Sequence, residues 1–186
     1  MMPDRVYQLK ATLVGTKPPV WRRLLVSETT TLASLHHVLQ AAFGWWDCHL
    51  HEFEIGGVRY GTDDGDGWGP PPKDEHRARL RTVASERTVL KYVYDFGDDW
   101  EHKVVVEKVL PAEAGVNYPV CTGGRRACPP EDCGGVWGYE EFLAAISDRD
   151  HPEHDTMLEW VGGGFDADAF DPTDLSHRLH LGSLAR

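Results

Sequence analysis

The chain has 186 residues, is 41% apolar with seven tryptophans, and carries a net charge of -11, which suits one packed globular core and excludes a disordered chain. So large an acid excess repels phosphate backbones and disfavours general binding of nucleic acid. No apolar run approaches the roughly 20 residues that span a bilayer, and Met1-Met2-Pro3-Asp4-Arg5 lacks the layout of a secretion signal, so no membrane partner and a cytoplasmic location with reduced cysteines are expected.

In residues 6–13, Tyr7, Leu9, Ala11 and Leu13 share one face and Gln8, Lys10 and Thr12 the other, the period of a half-buried strand. Pro18 and Pro19 exclude a helix from the turn that follows, and 21–26 returns as the second arm of a hairpin. Arg77, Arg79 and Arg81, and after them Arg22 and Arg23, are the candidates for a local basic patch, but solvated surface arginines are the favoured reading of both groups. Thr31 is placed to cap a helix on which Leu32, Leu35, Leu39, Ala42 and Phe43 recur at helical spacing, with Gly44 closing it. His36 and Gln40 lie at the edge of that apolar stripe.

His49, His51, Phe53 and Ile55 alternate with Leu50, Glu52 and Glu54, and this period carries both histidines inward. A short return strand at 58–60 leads into a Gly, Asp and Pro loop at 61–73, where Pro70-Pro71-Pro72 favours an extended chain. Asp63, Asp64 and Asp66 in that loop miss the spacing of a calcium site. A second hairpin runs over 89–96 and 100–110 with Gly97-Asp98-Asp99 as its turn, and Trp100, His102, Val104 and Val106 share a face.

Residues 111–135 read as irregular. Helices are predicted at 139–146, with Glu140 and Glu141 favouring its start, and from Asp150-His151-Pro152 to Gly162-Gly163-Gly164, with Pro152 at the first helical position. A last turn or two begins at Asp171-Pro172. The element order predicts an α+β fold: an antiparallel sheet built from hairpins, one long helix in the N-terminal half and short helices at the C-terminus. The opening hairpin–helix–hairpin order also allows a β-grasp-like core. One domain over 1–186 is expected, with 61–87 as a variable loop and 136–186 as a helical segment packed on it.

Asp95-Phe96-Gly97 copies the magnesium-binding tripeptide of protein kinases, but no glycine-rich phosphate loop or His-Arg-Asp loop accompanies it, so that reading fails. Cys121-x6-Cys128-x4-Cys133 departs from zinc spacing. Packing residues flanking Pro129-Pro130 are the favoured reading, with a structural zinc site, completed by His102, as the alternative. His49, His51 and His102 on core-facing positions, with Asp95 and Asp98 near in sequence, have the donors for a metal ion such as zinc or for acid–base work. The competing reading makes them structural, bonded to carboxylates or carbonyls. His151-x-x-His154 fits a cap or a surface position. Trp45, Trp46, Tyr94 and Trp100 would line an aromatic cleft for a small molecule or a protein segment.

Several strings resemble the plasmid pRiA4b ORF-3-like family: Tyr7-Gln8-Leu9-Lys10, Pro18-Pro19-Val20-Trp21-Arg22-Arg23, Leu35-His36 running to Ala42-Phe43-Gly44-Trp45, and His49-Leu50-His51-Glu52-Phe53. They continue in Tyr94-Asp95-Phe96-Gly97-Asp98-Asp99-Trp100-Glu101-His102, Tyr118-Pro119, Cys121, Cys128-Pro129-Pro130-Glu131-Asp132-Cys133-Gly134-Gly135 and Gly138-Tyr139. The resemblance implies a compact α+β protein of bacterial or archaeal type, with some members labelled as insertion-element passengers or TnpR resolvases. It implies no catalytic residues. A resolvase would need a positioned serine among phosphate-binding arginines, which the acidic charge opposes. The expected function is therefore a cytoplasmic binding or regulatory module, with a metal-dependent hydrolase or a structural zinc module as alternatives.

Overall fold

The computed structural model describes residues 5–62, 65 and 70–184; Asp63, Asp64 and Asp66 lie outside these. In chain order the elements are β1 (Arg5–Leu13), β2 (Trp21–Ser27), α1 (Leu32–Phe43), β3 (His51–Ile55), β4 (Val58–Gly61), β5 (Lys73–Asp74) and α2 (Leu80–Val83). They continue with β6 (Val89–Tyr94), β7 (Trp100–Pro111), β8 (Val120–Arg125), α3 (Gly135–Ser147), α4 (His154–Trp160) and α5 (Pro172–Leu184). The strands form one sheet in the order β5-β4-β3-β6-β7-β1-β2-β8. Every pairing is antiparallel except the two-residue contact of β5 with β4. This is an α+β fold. β1 runs antiparallel to both its neighbours, β2 and β7, so the sheet has no parallel central pair and is not a β-grasp.

Strand alternation sets which face is dry. Leu9, Ala11 and Leu13 of β1, Leu24 and Val26 of β2, Leu90, Tyr92 and Tyr94 of β6, and Trp100, His102, Val104 and Val106 of β7 are all buried. They meet Leu32, Leu35, Leu39, Ala42 and Phe43 of α1 in one apolar cluster that also takes in Tyr139, Phe142, Leu175 and Leu179. The opposite face is polar and partly exposed. There Arg23 forks onto Glu107 at 2.7 and 3.0 Å, and the Lys10 ammonium lies 4.9 Å from the Trp21 ring. α1 keeps the predicted ends: Thr31 Oγ1 accepts the Ser34 N–H at 3.1 Å, and Gly44, at φ 77°, returns its N–H to the Gln40 carbonyl.

Four features depart from the sequence reading. Residues 120–125 form an edge strand, because the small Gly124 lets the Phe170 ring and the Trp21 carbonyl approach where a Cβ would collide. The edge is blunted where Ser176 Oγ of α5 accepts the Cys121 N–H, which leaves less ladder open to pairing with another chain. α5 runs for thirteen residues, held by Leu175 and Leu179 in the core. Residues 73–83 carry β5 and α2 and bury Glu75, Ala78 and Leu80. Finally, Arg22 is no surface arginine. Its guanidinium is buried and donates to the carbonyls of Ala42, Trp21, Arg125 and Arg126 at 2.8–3.0 Å and to Cys128 Sγ at 3.0 Å. A cation at the last carbonyls of α1 also complements that helix's dipole.

Candidate functional site

Side chains from the α1–β3 loop, the β6–β7 turn and the loop before α3 meet at one end of the sheet. Tyr94, at the end of β6, donates its O–H to Glu131 Oε1 at 2.9 Å and accepts the Cys48 N–H at 3.2 Å. The other Glu131 oxygen accepts the Trp46 N–H at 2.9 Å. His49 Nε2 lies 2.8 Å from Asp132 Oδ1, 3.6 Å from Asp95 Oδ2 and 3.9 Å from Glu131 Oε1. Although the imidazole loses some hydration, these three carboxylates raise the His49 pKa. The Asp95 carboxylate also folds its own turn, accepting the Gly97 N–H at 2.9 Å. Asp98 Oδ2 accepts the Gly134 N–H at 3.0 Å, and a Cβ on Gly135 would strike the Asp98 carbonyl. These two contacts join the β6–β7 turn to the start of α3.

Backbone strain gathers at the same end. Of the six non-glycine described residues with positive φ, four are aspartates in these loops: Asp47, Asp95, Asp99 and Asp132. Aspartate tolerates this conformation better than most residues, but it is still costly and tends to mark functional loops. The rim is apolar and open: Trp46 is 77% exposed, and Leu50 and Phe96 are exposed too. Among the described residues, two sets of donors here could hold a metal ion, His49 with Asp95 and Asp132, and His49 with Cys48 and Glu131. Two ligand atoms on one zinc lie no more than about 4.2 Å apart, and the three distances from His49 Nε2 satisfy that limit.

The other predicted histidines go elsewhere. His51 does face inward, but it stacks on His36 with centroids 3.5 Å apart and planes at 5° and donates to Glu75 at 2.9 Å. His36 donates from Nε2 to Asp47 at 2.6 Å and accepts the Tyr92 O–H at Nδ1 at 2.8 Å. Gln40 closes this network, donating to Tyr92 Oη at 3.1 Å and accepting the Asp47 N–H at 2.9 Å. Burial and the neighbouring His51 push His36 down to about 4. His102 is fully buried between Phe43, Trp45 and Tyr92. Its Nδ1–H donates to the Trp100 carbonyl at 2.9 Å, and burial pushes it down to about 3. The expected grouping of His49, His51 and His102 around one ion is therefore not what the fold builds. The strand period does turn His51 and His102 to one side of the sheet, with Tyr92 between them, but His49 precedes β3 and is not carried inward with them: its side chain is 31% exposed.

The aromatic cleft is corrected in the same way. Trp45, Tyr94 and Trp100 are buried and packed on one another at 5.2–5.6 Å, so they floor the site from beneath, and only Trp46 reaches solvent. Trp45 Nε1 donates to the Pro129 carbonyl at 3.1 Å and so anchors the loop that carries Glu131 and Asp132. The cysteines do not converge on an ion. Cys121 sits in β8 opposite Leu24, Cys128 lies under Arg22, and no metal-competent group among the described residues contains Cys121, Cys128, Cys133, His51 or His102. Burial pushes the Cys128 and Cys133 thiols up to about 12, the state of packing residues rather than thiolate ligands. Cys48, Glu131 and Asp132 were missed as site residues. For Glu131 and Asp132 the only sequence signal was their place in the Cys-Pro-Pro-Glu-Asp-Cys-Gly-Gly string.

The architecture is that of a one-sided antiparallel sheet whose end loops carry a histidine–carboxylate cluster. The profile of the plasmid pRiA4b ORF-3-like protein family matches residues 5–174, and the chain belongs to that family. It is 43% identical over 159 residues to the uncharacterized protein y4hQ of Sinorhizobium fredii (strain NBRC 101917 / NGR234), covering 84% of this chain and 81% of that one. The crystal structure of MM3350, a protein of unknown function from Methanosarcina mazei Go1, superposes with a TM-score of 0.85 at 42% identity, covering 93% of this chain and 97% of that one. No helix among the described residues is long and apolar enough to cross a membrane.

Proposed function

We propose that this protein is a binding or regulatory module, not an enzyme, and that its ligand seat is the cluster of His49, Asp95, Glu131 and Asp132, which takes a divalent transition-metal ion, zinc by its donor set. One observation carries this reading: three carboxylates from two loops stand within 3.9 Å of a single imidazole nitrogen, and aromatic side chains rim the surface around them. Nitrogen and oxygen donors of this kind suit zinc, and Tyr94 holds Glu131 as outer-shell groups hold metal ligands. In this reading the protein works in the cytoplasm, where its four free cysteines stay reduced. Acidity at the seat gives no support to a role on mobile DNA, since phosphates would be repelled. Calorimetric titration with zinc chloride should show one ion bound per chain, with affinity lowered at least about ten-fold in His49→Ala and in Glu131→Gln. An ion that remains equally tight in His49→Ala, or no binding at all, would refute the seat.

A metal-dependent hydrolase is the second reading. It is favoured by the 31% exposure of the His49 side chain, which leaves room for water on a bound ion. Zinc-loaded protein assayed against chromogenic esters and phosphodiesters separates the two: turnover abolished by Asp95→Asn supports the hydrolase, and zinc binding without turnover supports the module.

A further inference from the structure

A second concavity, of about 600 Å³, opens between α3 and α4, within the size range of small-molecule sites. Phe142, Met157 and Trp160 supply its apolar part, and Glu141, Glu153 and Asp132 line it with charge. Trp160 is 48% exposed and meets Phe142 edge to face at 5.8 Å. α4 buries none of its own residues, so this indole is not consumed by packing.

The charge in the groove is unbalanced. No lysine or arginine lines it, and among the described residues neither Glu141 nor Glu153 has a side-chain ion pair or hydrogen bond. Asp132 is occupied by His49. The one imidazole present, His151, accepts the Glu153 backbone N–H at Nδ1 at 3.1 Å and makes no ion pair with either carboxylate. An apolar floor alone would suit a neutral ligand. Two uncompensated carboxylates beside an exposed indole favour a cation, through charge-assisted hydrogen bonds and attraction to the ring face.

We propose that the α3–α4 groove binds a small organic cation with a flat apolar body, an arylalkylamine. Its ring lies against Phe142, Met157 and Trp160, and its ammonium group is directed toward Glu141 and Glu153. This site goes beyond the metal seat and shares only Asp132 with it.

The test is a titration of the full chain with phenethylamine, followed by the NMR signal of the Trp160 indole, with phenethyl alcohol as the neutral comparator. The amine should bind at least about ten-fold tighter than the alcohol. Glu141→Gln/Glu153→Gln, on exposed positions that do not threaten folding, should erase that preference while leaving the alcohol unaffected. Trp160→Ala, which removes that reporter and is titrated by calorimetry instead, should weaken the amine by about five-fold. Equal affinities for amine and alcohol, an undiminished preference in the double variant, or shifts confined to the His49 loops would each overturn the proposal. His49→Ala, which abolishes the metal seat, should leave amine binding within about two-fold, so the two sites can fail separately.

Discussion

Two histidine–carboxylate assemblies stand side by side on this protein, and they share nearly the same contact geometry. His36 meets Asp47 at 2.6 Å, and His49 meets Asp132 at 2.8 Å. His36, with His51, Glu75 and Tyr92, lies in or against the core, while the His49 ring and Asp132 are open to water. Burial reverses the outcome of the same pairing: His36 is pushed down to about 4, whereas the pKa of His49 is raised. In the dry assembly desolvation exceeds what one carboxylate returns, so the imidazole is a neutral hydrogen-bonding strut. In the wet assembly the carboxylates prevail, and the same residue types stay available to a ligand.

The sharpest way to break this comparison is to delete one histidine from each assembly. His36→Ala should cost about 3 kcal/mol, because it opens a buried gap and strands Tyr92 and Asp47. His49→Ala should stay within about 0.5 kcal/mol. Urea denaturation midpoints measure both, and equal costs would erase the distinction between the assemblies.

Acid provides the next largest effect. The folded pKa of His36, about 4, lies below its ordinary value of 6.5, so the unfolded chain takes up that proton first. The stabilisation is fully present above pH 6.5 and is lost as pH falls toward 4, by a few kcal/mol in total. His102, at about 3, extends the loss to lower pH. Unfolding curves recorded from neutral pH to about pH 5 should flatten in His36→Gln, and an unchanged slope would contradict the assignment.

Hydroxyl deletions make a finer comparison. Tyr92→Phe removes the partner of both His36 and Gln40 in the core and should cost about 2 kcal/mol. Tyr94→Phe frees Glu131 and the N–H and thiol of Cys48, and should cost about 1 kcal/mol while weakening zinc binding. Thermal melts with and without zinc distinguish the two. Smallest of all is Trp46→Ala, which should change stability by less than about 0.5 kcal/mol because the indole is exposed. A larger loss in the same melts would mean that this ring packs on its neighbours.

Much of the fold could be read from short-range pattern. The alternation in β1 and β7, the Thr31 cap and the Gly44 stop of α1 all stand where periodicity put them, because each depends on neighbours a few residues away. β8 and α5 escaped: Thr122-Gly123-Gly124 has no alternation, and α5 is defined by what it packs on rather than by a strong stripe of its own. The candidate site was legible in part. His49 was singled out by an alternation that in fact begins only at His51, and Asp95 and Asp98 by their nearness in sequence to His102; all three side chains engage the site's loops.

The sequence by itself determined the α+β class, the inward face of each main strand and the family. Only the tertiary structure decided which polar groups meet: Glu75 with His51 across 24 positions, Glu131 with Tyr94 across 37, and Arg22 with the carbonyl of Arg126 across 104. The reason is physical. Strand and helix periods depend on adjacent residues, whereas the partner and the protonation state of a titratable side chain depend on how much water packing leaves beside it.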